Sequence, residues 1–144
     1  MVCQLRSAAE TDTRIVYQFI CSLEEEILDF DIFNKIFILN ILNNDYYYIV
    51  AESSDNVVGY ISCHTQYLLH HCGKVAEIQE LFVAEDHRGK GIGKLLVNSI
   101  EEKLREAGCV SFEVTANNKR NETHQFYISM GFGFSHKKFI KSLI

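Results

Sequence analysis

The segment Arg88–Lys94 holds the residues whose types and spacing most clearly favour chemistry. Three glycines stand at every other position, 89, 91 and 93, between basic and apolar residues. Apolar residues then recur at helical spacing, so the segment opens a helix: Leu95, Leu96, Ile100 and Leu104. The first N–H groups of a helix lack intrahelical partners, its dipole favours negative charge, and glycine removes the Cβ atoms that would hold a ligand away. The segment therefore predicts a site for a phosphate-bearing ligand.

Two common phosphate-binding motifs do not fit this segment. A nucleotide-triphosphate loop needs Gly-x-x-x-x-Gly-Lys followed by Ser or Thr, but Arg88 and Leu95 occupy the first and last of those positions. A dinucleotide fingerprint needs Gly-x-Gly-x-x-Gly, and Lys94 stands where the third glycine belongs. The pattern that remains is Arg-x-x-Gly-x-Gly. A turn at a helix start that binds no ligand can also show this pattern, so the rest of the chain must decide.

Two carboxylates, Glu77 and Glu80, lie on the segment that leads into the glycines. Residues 75–83 mix polar residues with β-forming ones, which predicts a strand. An alkylamine must lose a proton before it can act as a nucleophile, at a cost of about 4 kcal/mol at pH 7, and a positioned carboxylate can take that proton. A spacing of three puts the two side chains on opposite faces of a regular strand, so we expect different roles for them. For at least one of the two glutamates, the alternative to a catalytic role is a structural one, either in an ion pair or in a hydrogen bond to a loop amide.

Composition limits the classes of protein that the chain can represent. A length of 144 residues suits one domain, 1–144, with a sizeable core. The net charge of −5 argues against broad binding of nucleic acid or anionic membranes, and no apolar run reaches membrane-spanning length. Five cysteines, odd in number and without CxxC spacing, favour reduced thiols in a cytoplasmic protein. No metal site is predicted.

The periodicity of the chain predicts the elements that must position these residues. Strands are expected at 3–8, 46–51, 57–65, 75–83 and 110–114, with one or two more in the tail 134–143. Helices are expected around 15–23, 31–43, 92–107 and 122–130, the first capped by Thr11 or Asp12. Ser53–Asn56 is the expected turn of a hairpin. This order predicts a mixed α/β domain built on a central sheet.

The hexapeptide Arg88-Gly89-Lys90-Gly91-Ile92-Gly93 resembles the acetyl-coenzyme A pyrophosphate loop of the GCN5-related N-acetyltransferase (GNAT) superfamily. A second set of residues resembles the Asn-x-x-Arg…Phe-Tyr-x-x-x-Gly-Phe signature of many members: Asn117, Arg120, Phe126, Tyr127, Gly131 and Phe132. The two motifs stand at the right mutual spacing, and the resemblance covers nearly the whole chain. It implies a GNAT-like α/β (α+β) fold, with a central, mixed, mostly antiparallel sheet of six to seven strands flanked by about four helices.

The same resemblance implies an acetyl-CoA-dependent N-acetyltransferase and assigns roles to matching residues. Acetyl-CoA would be bound by the backbone of Leu81, Phe82 and Val83, by residues 88–94 and by Asn117 and Arg120. Tyr127 is the expected general acid toward the coenzyme sulfur. Glu77 matches, by count back from the loop, the general-base position of histone-type relatives. Other relatives place an acid nearer Glu80, and we favour Glu77.

Within the superfamily, the chain is most similar to the aminoalkylphosphonate N-acetyltransferases of bacterial phosphonate metabolism. The likeness spans both ends of the chain, and residues 69–81 are its most specific part because they lie outside the coenzyme motif. It implies a small-molecule primary amine as acceptor, an aminoalkylphosphonate among the candidates, with Tyr67, His70 and His71 as substrate-binding candidates. Adjacent histidines at a strand end point opposite ways, so a shared metal is not expected. The glycine loop is fuller here than in those enzymes, which concerns coenzyme binding and leaves the acceptor undecided.

Two other functions remain open from the sequence. A protein lysine or N-terminal acetyltransferase needs an open groove, and the acidic chain would suit a basic tail. A non-catalytic acyl-CoA-binding module would need neither Glu77 nor Tyr127. The sequence is compatible with a homodimer. Residues 24–36 and 133–139 contain no motif that indicates the acceptor.

Overall fold

The computed structural model describes residues 3–116 and 121–144, which form one sheet with helices on both faces. The strands are β1 Gln4–Ser7, β2 Tyr46–Ser53, β3 Asn56–Leu68, β4 Gly73–Val83 and β5 Ser111–Val114. The helices are α1 Thr13–Glu24, α2 Phe30–Ile41, α3 Ile92–Glu106 and α4 Asn121–Ser129. The four predicted helices and the five strands ahead of the tail are confirmed, with bounds shifted by a few residues.

The sheet has the spatial order β1-β2-β3-β4-β5. The first three pairings are antiparallel, and β4 pairs with β5 in parallel. The predicted turn between β2 and β3 is confirmed, with Ser54 and Asp55 at φ values of +51° and +67°. This is the mixed, mostly antiparallel sheet that the sequence predicts.

The prediction of six to seven strands is wrong for the described residues, which contain five. The tail from Phe132 to Ile144 is described and forms no strand. Its apolar residues fall at 132, 134, 139, 140, 143 and 144, with successive spacings of two, five, one, three and one. A half-buried strand needs apolar residues at every second position. Phe134 and Phe139 are accordingly exposed.

Two apolar cores lie on opposite faces of the sheet. On one face, α3 buries Leu96, Val97 and Ile100 against Ile61 and Cys63 of β3. These helical positions lie three and four apart, so they share one stripe of the helix. The opposite face carries α1 and α2, with Val16, Phe19, Ile20 and Phe37 packed on Tyr48, Val50 and Tyr60. Each strand in the middle of the sheet is therefore covered on both sides.

Two details of the helix ends differ from the prediction or add to it. Asp12 occupies the N-cap position of α1, but its carboxylate accepts hydrogen bonds from Arg6 and from the N–H of Ala9 rather than from the helix. The Arg6 guanidinium and the Ala9 bond lower the pKa of this carboxyl against the opposing effect of burial. Asp29 caps α2 by accepting from the N–H of Ile32 at 3.0 Å. Among the described residues, none of the helices is long and apolar enough to cross a membrane.

Candidate active site

Strands β4 and β5 separate part of the way along their length. Their pairing runs from Val75–Ser111 to Ile78–Val114 and goes no further, whereas β4 continues to Val83. Residues 79–83 therefore have β3 on one side and no strand on the other among the described residues. Unpaired backbone groups at such an edge can hydrogen-bond an extended ligand. Leu81, Phe82 and Val83, the predicted pantetheine-binding residues, lie on this open edge.

A β-bulge in β4 changes which side chains share a face. Ser62 pairs with Glu80 and Cys63 pairs with Ile78, so Gln79 is the extra residue. Because His64 and Ser62 are two apart on β3, their partners Glu77 and Glu80 lie on the same face of the sheet. The expectation that the two carboxylates lie on opposite faces is therefore wrong, since it assumed a regular strand. Both face the side of the sheet that carries α1 and α2.

The glycine loop follows directly from the open edge of β4. Arg88 donates from Nε to the carbonyl oxygen of Val83 at 2.9 Å, and its guanidinium carbon lies 5.4 Å from the centroid of the Phe82 ring. Gly89 and Gly91 have φ values of +77° and +83°, a conformation that L side chains rarely adopt. A Cβ atom added at either glycine would meet nothing within 4 Å. The loop is thus anchored by Arg88 and leaves open space over both glycines.

The N-terminus of α3 completes this open surface. The first helical hydrogen bond runs from the N–H of Leu95 to the carbonyl of Gly91 at 3.0 Å. The N–H groups of Ile92, Gly93 and Lys94 precede it, so none of the three has an acceptor within the helix. Lys90 and Lys94 are exposed on either side. Free amides, a helix dipole and two flanking lysines favour a diphosphate.

Gly93 serves a different purpose from the other two glycines. A Cβ atom there would lie 3.3 Å from the ring of Phe126 on α4. Gly93 therefore lets α4 approach α3 closely, which sequence reasoning about the loop missed. The signal that could have revealed it is Phe126 itself, an aromatic residue of the second motif.

Tyr127 lies beside Phe126 in the core that α3 covers. It is 7% exposed, and its ring lies 5.2 Å from that of Phe126 and 5.5 Å from that of Phe132. Burial raises the pKa of Tyr127 to about 12, so the phenol keeps its proton at neutral pH. Its hydroxyl has no hydrogen-bond partner among residues 3–116 and 121–144. The proton is therefore available for a group that enters from outside.

Glu77 is half-buried and is held from the neighbouring strand. Thr115, which directly follows β5, donates its hydroxyl to Oε2 of Glu77 at 3.1 Å. On the other side, His64 of β3 is the residue directly opposite Glu77 in the sheet. A carboxylate has about four acceptor positions, so a single hydrogen bond leaves room for an ammonium group. Glu77 therefore lies at the place where β4 and β5 separate, with capacity to accept a proton.

Glu80 lies in a more enclosed position on the same face. Ser62 donates its hydroxyl to Oε1 of Glu80, and the backbone N–H of Glu80 donates to the Ser62 oxygen at 3.1 Å. Burial raises the pKa of Glu80, and the nearby Glu24 of α1 adds to this effect; the Ser62 and Tyr60 hydroxyls oppose it. Its carboxylate is thus engaged by hydroxyl groups of β3.

His64 and its neighbours form a polar cluster that sequence reasoning missed. The His64 ring stacks on the Tyr46 ring at a centroid distance of 3.6 Å, and its Nε2 lies 2.7 Å from the Tyr48 hydroxyl. Asn40 of α2 donates to that hydroxyl at 2.8 Å. Burial lowers the pKa of His64, while Glu77 acts in the opposite direction. The hairpin register, with polar residues at alternate positions of both strands, is the signal that could have revealed the cluster.

The three predicted substrate-binding residues lie at the same end of the hairpin formed by β3 and β4. Tyr67 is 80% exposed near the end of β3, and its ring lies 5.6 Å from the ammonium of Lys74. His71 Nε2 lies 3.7 Å from the carboxylate of Glu113, the residue that pairs with Glu77 across β4 and β5. His71 is therefore near a carboxylate of β5, whereas Tyr67 is near Lys74 of β4.

The prediction that His70 and His71 point in opposite directions is wrong. They lie in a short 3-10 turn over Leu69–His71 rather than at a strand end, and their rings meet edge to face at 4.6 Å. The described part of the chain contains no group of three or more side chains that could hold a metal ion. Asn117 and Arg120, predicted to contact acetyl-CoA, lie outside the described residues.

The fold, the open edge of β4 and the glycine loop are those expected of the N-acetyltransferases that the sequence resembles. Residues 8–132 match the Acetyltransferase (GNAT) family. The chain therefore belongs to this family and is an N-acetyltransferase. Members of the family use acetyl-CoA as cosubstrate.

Individual relatives refine this assignment. The aminoalkylphosphonate N-acetyltransferase of Salmonella typhimurium is 42% identical to the chain over 142 residues, which cover 99% of this chain and 92% of that protein. Among solved structures, a transcriptional regulator from Bacillus halodurans has a TM-score of 0.90 at 23% identity, over 99% of this chain and 100% of that one. Glucosamine-6-phosphate N-acetyltransferase from Arabidopsis thaliana has a TM-score of 0.83 at 18% identity, over 100% of both chains. At such identities the two structures show the fold alone.

Proposed function

We propose that residues 1–144 act as a single acetyltransferase domain that moves the acetyl group of acetyl-CoA to the primary amine of an aminoalkylphosphonate. The observation that carries this proposal is the open edge of β4 at residues 79–83, which lies between the glycine loop and Glu77. The 42% identity to the Salmonella enzyme over nearly the whole chain supports the class of acceptor.

Backbone groups supply most of the coenzyme half of the site. The diphosphate suits the amides of residues 92–94 and the space over Gly89 and Gly91, where a Cβ atom would meet nothing. Residues 81–83 offer backbone groups of the open edge to the pantetheine arm, apart from the Val83 carbonyl, which accepts from Arg88. Arg88 uses its Nε to fix the loop, which leaves its terminal N–H groups for a phosphate oxygen.

The reaction itself requires two protons to be removed from the acceptor nitrogen and one to be returned to the sulfur. In the proposed scheme Glu77 takes a proton from the ammonium of the acceptor, and the free amine attacks the thioester carbonyl. A C–N bond forms and the C–S bond breaks, so the sulfur leaves as a thiolate. As the C–S bond breaks, Tyr127 gives a proton to that sulfur, and the second proton of the nitrogen leaves and restores the phenol through solvent. Glu77 then releases its own proton to solvent. Because β4 and β5 separate, a substrate between them can reach Glu77 on one face of the sheet and Tyr127 on the other.

Glu80 is the alternative base on this face. Its raised pKa would suit proton transfer near neutral pH. Its carboxylate, however, is engaged by Ser62, whereas Glu77 lies where the strands separate. We therefore assign the base role to Glu77 and a pocket-shaping role to Glu80.

Acceptor profiling tests the proposed function. Thiol release from acetyl-CoA would be measured with 2-aminoethylphosphonate, with amines of similar length that lack the phosphonate, and with a lysine-rich peptide. Each assay would be run with and without a divalent metal. The expected result is a preference for the phosphonate that Glu77→Gln abolishes. Turnover of the peptide alone would instead indicate a protein acetyltransferase, and coenzyme binding without any turnover would indicate a non-catalytic module.

A further inference from the structure

The side chain of His64 is fixed by both a ring stack and a hydrogen bond. Its ring is stacked face to face on Tyr46, 7° from parallel, and its Nε2 is hydrogen-bonded to Tyr48 at 2.7 Å. Tyr48 is only 9% exposed and is bonded in turn by Asn40 of α2. Side chains from α2 and from two positions of β2 thus fix one imidazole on the face that carries Glu77.

The hydrogen bonds decide which nitrogen of His64 carries the proton. The Asn40 amide donates to the Tyr48 oxygen, so the Tyr48 hydroxyl has its own proton left to donate. If that proton goes to Nε2 of His64, each polar group in the hydrogen-bond series Asn40–Tyr48–His64 has a partner. In the other tautomer, the oxygen accepts two hydrogen bonds and its buried proton has no acceptor here, which is unfavourable. The network therefore favours His64 with its proton on Nδ1.

His64 and Glu77 are neighbours across the sheet, but no ring nitrogen of His64 lies within 4.0 Å of the Glu77 carboxylate. The two residues are directly opposite in the pairing of β3 and β4, where Cβ atoms are about 4.5–5.5 Å apart. Thr115 already binds one oxygen of Glu77 from the other side. A water that bridges the His64 N–H and the Glu77 carboxylate would hold the carboxylate between two donors and still leave acceptor positions for an ammonium proton.

We propose that His64 is a positioning residue of the acetyl transfer: Tyr48 keeps it in the Nδ1–H tautomer, and this N–H, through a bridging water, orients the carboxylate of Glu77 toward the acceptor amine. The inference rests on the proposed role of Glu77 as the base. Burial supports it, because it favours the neutral ring, which has one acceptor nitrogen and one donor. Helix α2 then contributes to the reaction through Asn40, although it does not itself touch the thioester.

Two substitutions of similar size separate the two nitrogens. The amide nitrogen of His64→Asn can replace Nδ1–H, whereas the longer His64→Gln replaces Nε2 and loses the donor to Glu77. Both lose the stacking on Tyr46, so each controls for the stability effect of the other. We expect His64→Gln to lower kcat by about 10- to 100-fold, the range for residues that orient a reacting group, with little change in the KM of acetyl-CoA. His64→Asn should retain clearly more of kcat, and equal loss in both variants would overturn the proposal.

The tautomer can be observed without any turnover. The chain contains six histidines, so two-bond 1H–15N spectra of 15N-histidine-labelled protein can be assigned by comparison with His64→Gln. The expected His64 pattern is a protonated Nδ1 and an unprotonated Nε2 that becomes protonated in part in Tyr48→Phe. A protonated Nε2 in the wild-type protein would overturn the proposal. Full activity of Glu77→Gln would instead refute the base assignment, and the spectra would still show whether His64 carries its donor on Nδ1.

Discussion

The two halves of the candidate site are built from different kinds of groups. The coenzyme half consists of backbone: the open edge of β4, two glycines at positive φ, and the free amides at the start of α3. The acceptor half consists of side chains on the α1 and α2 face, in which Glu77, Glu80 and His64 are each hydrogen-bonded to a hydroxyl group.

This difference has a physical consequence for substitution. Backbone groups stay in place when side chains change, so the coenzyme half should be sensitive mainly to changes that alter φ and ψ. The acceptor half depends on single carboxyl, phenol and imidazole groups, each of which can be removed by one substitution. Mutations should therefore separate coenzyme affinity from turnover.

The largest effect is expected for Glu77→Gln. Loss of a positioned general base typically reduces turnover by about 10²- to 10⁴-fold. Because the backbone groups proposed to bind the coenzyme are unchanged, the affinity for acetyl-CoA should stay near that of the wild type. Steady-state kinetics with 2-aminoethylphosphonate and calorimetric titration of acetyl-CoA check the two parts. Equal loss of affinity and turnover would break the distinction between the halves.

A smaller effect on turnover is expected for Tyr127→Phe. The phenol proton is lost while the ring, which packs between Phe126 and Phe132, is retained. We expect kcat to fall by roughly 10- to 100-fold, at the low end for acid–base groups, because water can replace the donor in part. The melting temperature should not fall, since the hydroxyl has no partner among the described residues. A large loss of stability would show that the hydroxyl is a structural group instead.

Gly91→Ala tests the backbone half. An L residue in the left-handed conformation costs about 1–2 kcal/mol, so the loop should shift toward another conformation. We expect the Kd of acetyl-CoA to rise roughly tenfold, which corresponds to about 1.4 kcal/mol, with kcat at saturation less affected. Gly133→Ala is the matched control, because a Cβ atom there also meets nothing within 4 Å and φ is not positive. Equal effects of the two substitutions would contradict the role of the loop.

The smallest effect is expected for Glu80→Gln and concerns stability. Burial raises the pKa of Glu80 above 4.5, so the folded state binds a proton that the unfolded chain releases. The free energy of unfolding therefore decreases as the pH rises from about 4.5 through the pKa of the folded state. Gln removes this penalty and can still accept from Ser62. We expect the melting temperature at pH 8 to rise by roughly 2–4 °C, as about 1 kcal/mol would produce, with less gain at pH 4.5. A decrease at pH 8 would show that the charge itself stabilises this face.

Local patterns explain which features could be predicted from the sequence. The glycine loop depends on six consecutive residues, and its turn and helix start follow from their conformational preferences. The helices follow from apolar stripes, and the hairpin from its turn. None of these requires knowledge of distant parts of the chain.

The features that sequence reasoning missed depend on pairing between segments. The bulge at Gln79 exists only in register with β3, and it places Glu77 and Glu80 on one face. The cluster around His64 joins α2, β2 and β3, which no single segment indicates. The predicted tail strands failed for a local reason, because the apolar spacing there does not have a period of two.

A crystal structure of the protein with coenzyme A and 2-aminoethylphosphonate would test the central claim most directly. The account predicts that the pantetheine arm lies along residues 79–83 of β4, with the diphosphate at the start of α3. It also predicts that the amine lies within hydrogen-bond distance of the Glu77 carboxylate. An amine bound against Glu80 instead, or a coenzyme that leaves the open edge of β4 uncovered, would contradict it.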